Sequence, residues 1–447
     1  MLSLLAFVIG VAGILTGRKC FDKWFNHVSI YSAMWGFTIY LYDVHLINYY
    51  TMESETWMII FAGWLFFILG SVTVVVARRA VISREISQTN AIGLSSNVMQ
   101  NGQEYERKLI EWALWILIVI SLIAALHTWY ILIQMFGSVT NVLIRGAFLY
   151  SIRVSEGIKG SIPYFKFLCL PATLIAGVYT AKVGRLKLVA ILPILISIIV
   201  DLSSMGRAMM IMAAILFTNG YFLTRRALPA AGKATSVFSF KKISMFVTAI
   251  LLLFAGSELV RSTRHVNENL VGAKRSLKQL EGSSFITPSI YLYLTGNYAV
   301  LNQYLKSEEV ERFTGANTLA PFFRLLAKVG FDTDVEAYQK FFRTPVNANT
   351  GTYLRELHSD FGIAGIILGP YFIGIITSLS WFRYQRTGTY VDLVTLSYLQ
   401  VMVAMSLFYL VTIAGYLLVY LIIGLCVAIF LDYKLKHSNS ITVQGVD

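Results

Sequence analysis

The sequence predicts an all-α polytopic membrane protein. Two observations carry that reading. Of 447 residues, 56% are hydrophobic and only 14% are charged, with mean hydropathy +0.65. A soluble domain carries about 25% charged residues, so this chain has more apolar surface than one water-facing globule can hide. The apolar residues also come in continuous runs of about 20, without the period-two alternation of a barrel strand. Lipid offers backbone groups no partner, so each run must satisfy its own N–H and C=O groups as a helix.

Eleven spans follow in order. The first, near 2–17, has no basic stretch before it and no small-residue cleavage site behind it, which predicts an anchor rather than a removed signal. The others fall near 28–48, 57–77, 109–136, 163–183, 188–206, 208–223, 244–260, 363–382, 393–413 and 416–433. Residues 1–260 thus hold spans one to eight, 261–362 a large outer loop, and 363–447 spans nine to eleven with a tail.

Basic residues mark one set of connections. Arg18, Lys19 and Lys23 follow the first span, Arg78, Arg79, Arg84, Arg107 and Lys108 the third, and Arg185 and Lys187 the fifth. Arg225, Arg226, Lys233, Lys241 and Lys242 follow the seventh, Arg383 and Arg386 the ninth, and Lys434 and Lys436 the last. The opposite short connections hold Arg145, Arg153, Lys159 and Arg207. Cytoplasmic loops collect Lys and Arg, so the N-terminus is expected outside and the C-terminus in the cytoplasm. The net charge of +13 is therefore a topological signal and gives no argument for nucleic acid. Cys20, Cys169 and Cys426 form no CxxC or CxxH pattern, so neither a disulfide framework nor a zinc site is expected.

The loop between Arg261 and Gly362 falls outside by parity and is nearly charge-balanced, with 12 Lys and Arg against 10 Asp and Glu. Long loops cross regardless of charge. Its stretches "PSIYLYLTGNYAVLNQYL" and "LAPFFRLLAKVGF" predict short amphipathic helices and a folded lid on the membrane surface. The segment "NVLIRGAFLYSIRV" (141–154) is too short and too charged to span, and reads as an interfacial helix.

Chemistry concentrates on the outer side. In "NTGTYLRELHSDFGIAGIILG", Arg355, Glu356, His358 and Asp360 stand within six residues at the mouth of the ninth span. Charges near hydrocarbon are costly and mark functional sites. If the segment is helical, Arg355 and His358 share a face. Histidine takes a proton near neutral pH, and arginine grips phosphate in a bidentate manner. The plainer alternative is a solvated helix end. Asp360 either orients the histidine or caps the next helix. Asp201 and Arg207 in "DLSSMGRAMM" occupy a tight outer hairpin, where Arg207 either contacts substrate or snorkels to the interface. Arg261 and Arg264 in "ELVRSTRHVNEN" share a helical face and suit a pyrophosphate clamp, or equally lipid headgroups. Arg324 and Arg343 in the lid are further phosphate candidates. The Asp332 and Asp334 pair in "FDTDVEAY", with Glu336 close behind, is better read as a polar turn than as a metal site.

Residues 200–380 carry a resemblance. "SSMGRAMM", "YLYLTGNYAVLNQYL", "GANTLAPFFRLL" and above all "NTGTYLRELHSDFGIAGIILGPYFIG" resemble the Wzy-type oligosaccharide repeat unit polymerases, the O-antigen polymerases of bacterial inner membranes. The amino-terminal third matches in hydropathy alone. The resemblance implies a periplasmic lid and a glycosyltransferase acting on undecaprenyl pyrophosphate-linked oligosaccharide, with membrane lipid and a chain-length regulator protein as further partners, and no cofactor. It implies that Arg207 and Arg261 correspond to the family's outer-face arginines, and that His358 fits the polar position before Asp-Phe-Gly. The rival expectations are an O-antigen ligase, which shares the membrane plan and donor, and a lipid-linked oligosaccharide transporter (flippase). The absence of an internal repeat in this sequence disfavours the transporter.

Overall fold

The computed structural model describes residues 2–85, 96–146, 148–149, 152, 158, 160–162, 164–227, 288–307, 315–331 and 340–444. The predicted eighth span, with Arg261 and Arg264, lies outside the described residues, as do Asp332, Asp334 and Glu336.

The described chain is mainly helical: α1 (Leu2–Phe21), α2 (His27–Asp43), α3 (Ser54–Glu85), α4 (Ser96–Phe136), α5 (Val139–Ile144), α6 (Cys169–Val183), α7 (Leu188–Ser204), α8 (Ala208–Ala227), α9 (Pro288–Lys306), α10 (Ala320–Lys328), α11 (Tyr353–Phe361), α12 (Ile363–Thr387), α13 (Tyr390–Met405) and α14 (Gly415–Gln444). A hairpin of β1 (Phe342–Thr344) and β2 (Val346–Ala348) pairs antiparallel, with Arg343 opposite Asn347.

Among the described residues, seven helices are long and apolar enough to cross a membrane. They match the first, third, fourth, fifth, seventh, ninth and eleventh expected spans. The second, sixth and tenth are shorter helices, α2, α7 and α13, of 17, 17 and 16 residues. At 1.5 Å per residue each reaches about 25 Å, under the roughly 30 Å of a hydrocarbon core.

The chain divides into two compact units. The first holds residues 1–89, 268–382 and 399–417. Its helices meet through small residues, as membrane helices do. There is no room for a Cβ at Gly70 against the Tyr371 carbonyl, nor at Gly374 against the Phe67 carbonyl, so α3 and α12 touch backbone to backbone. Gly10 and Gly36 face each other where α1 and α2 approach closely, and an added Cβ on Gly36 would lie 3.1 Å from the Gly10 Cα.

In this unit α9 differs from expectation. It is not a half-exposed surface helix, because Thr295 to Asn302 are buried continuously. Its polar side chains make that burial tolerable by finding partners near the ends of α2 and α3. Asn302 Oδ1 accepts from the Glu53 N–H (2.9 Å) and the Thr56 hydroxyl (2.8 Å), while its Nδ2 donates to the Thr51 carbonyl (3.1 Å). The Tyr291 hydroxyl donates to the Leu41 carbonyl (2.7 Å), and Tyr298 and Thr38 share a hydrogen bond of 2.7 Å.

The second unit holds residues 90–267, 383–398 and 418–447. Gly177 and Gly220 pack α6 directly against α8. Glu106 pairs with Lys182 (2.7 Å) and accepts from the Tyr390 hydroxyl (2.7 Å). The expected interfacial segment begins as α5, with Val142 and Leu149 buried against Leu132, Phe136 and Met205.

Candidate functional site

The site in the first unit is α11. Tyr353 N–H donates to the Ser406 carbonyl (2.8 Å), and the Tyr353 hydroxyl meets Tyr31 (2.8 Å), which fixes the first turn. The helix stops at Gly362, whose φ of +60° an L side chain would resist, and the Gly362 N–H closes on the His358 carbonyl (2.8 Å). Gly365 then lets α12 start hard against the Leu357 carbonyl.

This short helix buries four ionisable side chains. Arg355 is 7% exposed, Glu356 2%, His358 7% and Asp360 3%. The solvated-end alternative therefore fails. Buried charge is costly unless compensated, and the compensation differs at each residue.

Arg355 closes the foot of the β-hairpin. Its Nη1 donates to the Asn349 carbonyl (2.9 Å) and its Nη2 to the Lys340 carbonyl (3.1 Å), on either side of the two strands. Its guanidinium carbon stands 5.0 Å from the Phe342 ring centre and 5.6 Å from that of Tyr304. Those ring faces stabilise a cation withdrawn from water. His358 uses the same tyrosine: its Nδ1 is 3.1 Å from the Tyr304 hydroxyl, and the two rings meet edge to face. The expected shared face of Arg355 and His358 is thus organised by Tyr304 from α9.

Asp360 is placed differently from both of its expectations. Its carboxylate does not orient His358. Oδ1 accepts from the Asn317 N–H and Nδ2 (both 2.9 Å), and Oδ2 from the Thr318 N–H (2.7 Å) and hydroxyl (2.6 Å). Nor does it cap α12. It holds the turn that leads into α10. Arg324, from α10, donates through Nη1 to the Ile413 carbonyl (2.7 Å) and serves as an anchor of the fold there. Arg343 is exposed on β1, next to the Phe342 that receives Arg355.

Glu356 has a role that the sequence alone does not assign. Its Oε2 accepts from the Leu410 N–H (3.2 Å), while its Oε1 is buried with no hydrogen-bond partner. Burial pushes its carboxyl up to about 8, against the opposing pull of the Arg355 cation. Glu356 is accordingly protonated at neutral pH. Its position beside Arg355 was visible in the sequence. The partner at Leu410, 54 residues on, was not.

Arg207 belongs to the second unit. Met205 takes a left-handed conformation (φ +50°) to end α7, and Asp201 Oδ2 accepts from the Met210 N–H (2.8 Å) at the start of α8. Arg207 is half-buried in that turn. Among the described residues no three His, Cys, Asp or Glu side chains gather as a metal site.

The α11 cluster combines a fixed cation, an imidazole and a neutral carboxylic acid within two helical turns. Such a set can neutralise an anion and exchange a proton with a hydroxyl. Comparison with protein-family models, curated proteins and solved structures finds no match for this chain.

Proposed function

We propose that this protein is a membrane glycosyltransferase that polymerises undecaprenyl pyrophosphate-linked oligosaccharide units at the outer face of a bacterial inner membrane. The eleven-span topology with an outer N-terminus and a cytoplasmic C-terminus is part of that proposal. The observation that carries it is the burial of Arg355 and His358 around Tyr304, immediately before α12. An acceptor sugar hydroxyl gives its proton to His358 and attacks C1 of the donor sugar. The bond from C1 to the pyrophosphate oxygen breaks, and the electron pair leaves with the lipid pyrophosphate, inverting the anomeric centre. Arg355 supplies fixed positive charge near the reaction, while Arg207, Arg261, Arg264 and Arg343 remain the candidates for holding the pyrophosphate. Arg324 is kept in that set at the lowest rank because of its bond to Ile413. Positioning and electrostatics supply most of the effect, since lipid pyrophosphate is already a good leaving group.

The test is genetic. The gene is deleted in its host, and wild type, Arg355→Ala or His358→Ala is returned. The surface glycan is then run on a gel. The expected result is collapse of a ladder to a single-repeat band, rescued by wild type alone. An unchanged surface ladder on deletion refutes the polymerase reading. A ladder that persists on the carrier lipid would instead identify a ligase.

A further inference from the structure

The amphipathic helix α10 carries an apolar ridge that nothing in the described chain covers. Leu319, Phe322, Leu325, Val329 and Phe331 are all exposed, with Leu325 at 60% and Val329 at 71%. The first four recur at three- and four-residue spacing, so they line one side of the helix. A contiguous apolar surface of this kind marks an interaction site. The question is what covers it.

The anchors of α10 answer that. Asp360, which holds Asn317 and Thr318, stands just before α12 begins at Ile363. Thr412 donates to the Asn317 carbonyl (3.1 Å) and Arg324 donates to the Ile413 carbonyl, just before α14 begins at Gly415. Both of those helices are membrane-length. The helix is therefore tied, through the turn that precedes it and through Arg324 at its middle, to the residues just before two membrane-length helices. The ridge is also continuous with exposed apolar residues at the head of α12. Leu319 and Phe361 both come within 4 Å of the space above Gly315, at 3.6 and 3.8 Å. Phe361 is exposed and leads directly into exposed Ile363 at the head of α12.

We propose that α10 is a monotopic membrane helix: its ridge is buried in the acyl-headgroup boundary of the leaflet into which α12 and α14 descend, so the occupant of this surface is lipid. The inference does not depend on the catalytic reading, because it uses no residue of the Arg355 and His358 pair. Interfacial helices bind in this way, lying in the plane with the apolar side a few ångströms deep.

The test uses nitroxide labels on the full chain in phospholipid nanodiscs. In a Cys20→Ser, Cys169→Ala, Cys426→Ser background, single variants Leu325→Cys, Val329→Cys and Ala327→Cys are labelled. Ala327 is exposed on the other side of the same helix and serves as the water-facing control. The expected result is high accessibility to oxygen and low accessibility to a water-soluble nickel complex at 325 and 329, with the reverse at 327. Equal nickel accessibility at all three positions overturns the proposal. Protection of 325 and 329 from both reagents also overturns it, because a protein partner would then be the occupant.

Discussion

Glu356→Gln isolates the energetics of the buried cluster. The carboxyl moves from an ordinary 4.5 to about 8 in the folded protein. At about 1.4 kcal/mol per tenfold change, the ionised form is disfavoured in the native state by roughly 5 kcal/mol, an upper bound. The sign follows from proton counting. Between pH 4.5 and 8 the unfolded chain has released this proton and the folded chain has kept it. Stability is then lost as pH rises through that window, is complete below it, and levels off above it. Glutamine carries no such proton, yet it retains an oxygen for the Leu410 N–H. The variant should therefore match wild type near pH 5 and exceed it increasingly toward pH 8, with a plateau beyond. The assay is the thermal unfolding midpoint of the detergent-purified chain, read for both proteins at pH 5, 6.5, 8 and 9. A midpoint difference that stays constant across this range would refute the reasoning, because Glu356 would then titrate alike in both states.

Other substitutions probe neighbouring parts of the argument. Asp360→Ala removes the acceptor of four hydrogen bonds and strands the donors of Asn317 and Thr318, so a loss of about 2–4 kcal/mol is expected. An unchanged melting midpoint would mean that the turn before α10 needs no such anchor. Tyr304→Phe keeps the ring beneath Arg355 but deletes the hydroxyl at His358. It should cost only about 1 kcal/mol in stability. On the proposed polymerase reading it should also shift the pH profile of chain growth in isolated membranes, and an identical profile would free His358 from that tyrosine. Gly70→Leu forces a side chain into the Tyr371 backbone and should lower the midpoint sharply, by about 3 kcal/mol or more. A folded, equally stable variant would disprove the close α3–α12 crossing.

The membrane class of the fold was legible because it rests on composition and on the length of apolar runs, both local properties. The helix α11 was expected only conditionally, whereas the short helix α10 was legible for a similar reason, since its apolar spacing is written within nine residues. The burial of α9 was not. "PSIYLYLTGNYAVLNQYL" mixes apolar and polar residues as an amphipathic surface helix does, and only the distant partners of Asn302, Tyr291 and Tyr298 make its polar side chains compatible with an interior. The same limit applies at the site. The sequence brings Arg355 and His358 to one side of a helix, but the tyrosine that organises them lies about fifty residues earlier, and periodicity says nothing about such a meeting. For Asp360 the sequence offers two nearby partners, His358 and α12, but the carboxylate binds a turn 43 residues away.

The anchoring of α10 also sets an order of events during synthesis. Asn317 leaves the ribosome long before Asp360 and longer still before Thr412, which both bind it. Until residue 413 emerges, the Ile413 carbonyl that Arg324 holds does not exist, and Glu356 lacks the Leu410 N–H. The segment around α10 and α11 therefore cannot mature as it is made. It must wait, with its ionisable groups in water, until α12 and α13 have been delivered to the membrane. Completion of this structure thus reports that insertion of the late helices has succeeded, and a chain halted before residue 410 leaves the cluster unfinished and exposed.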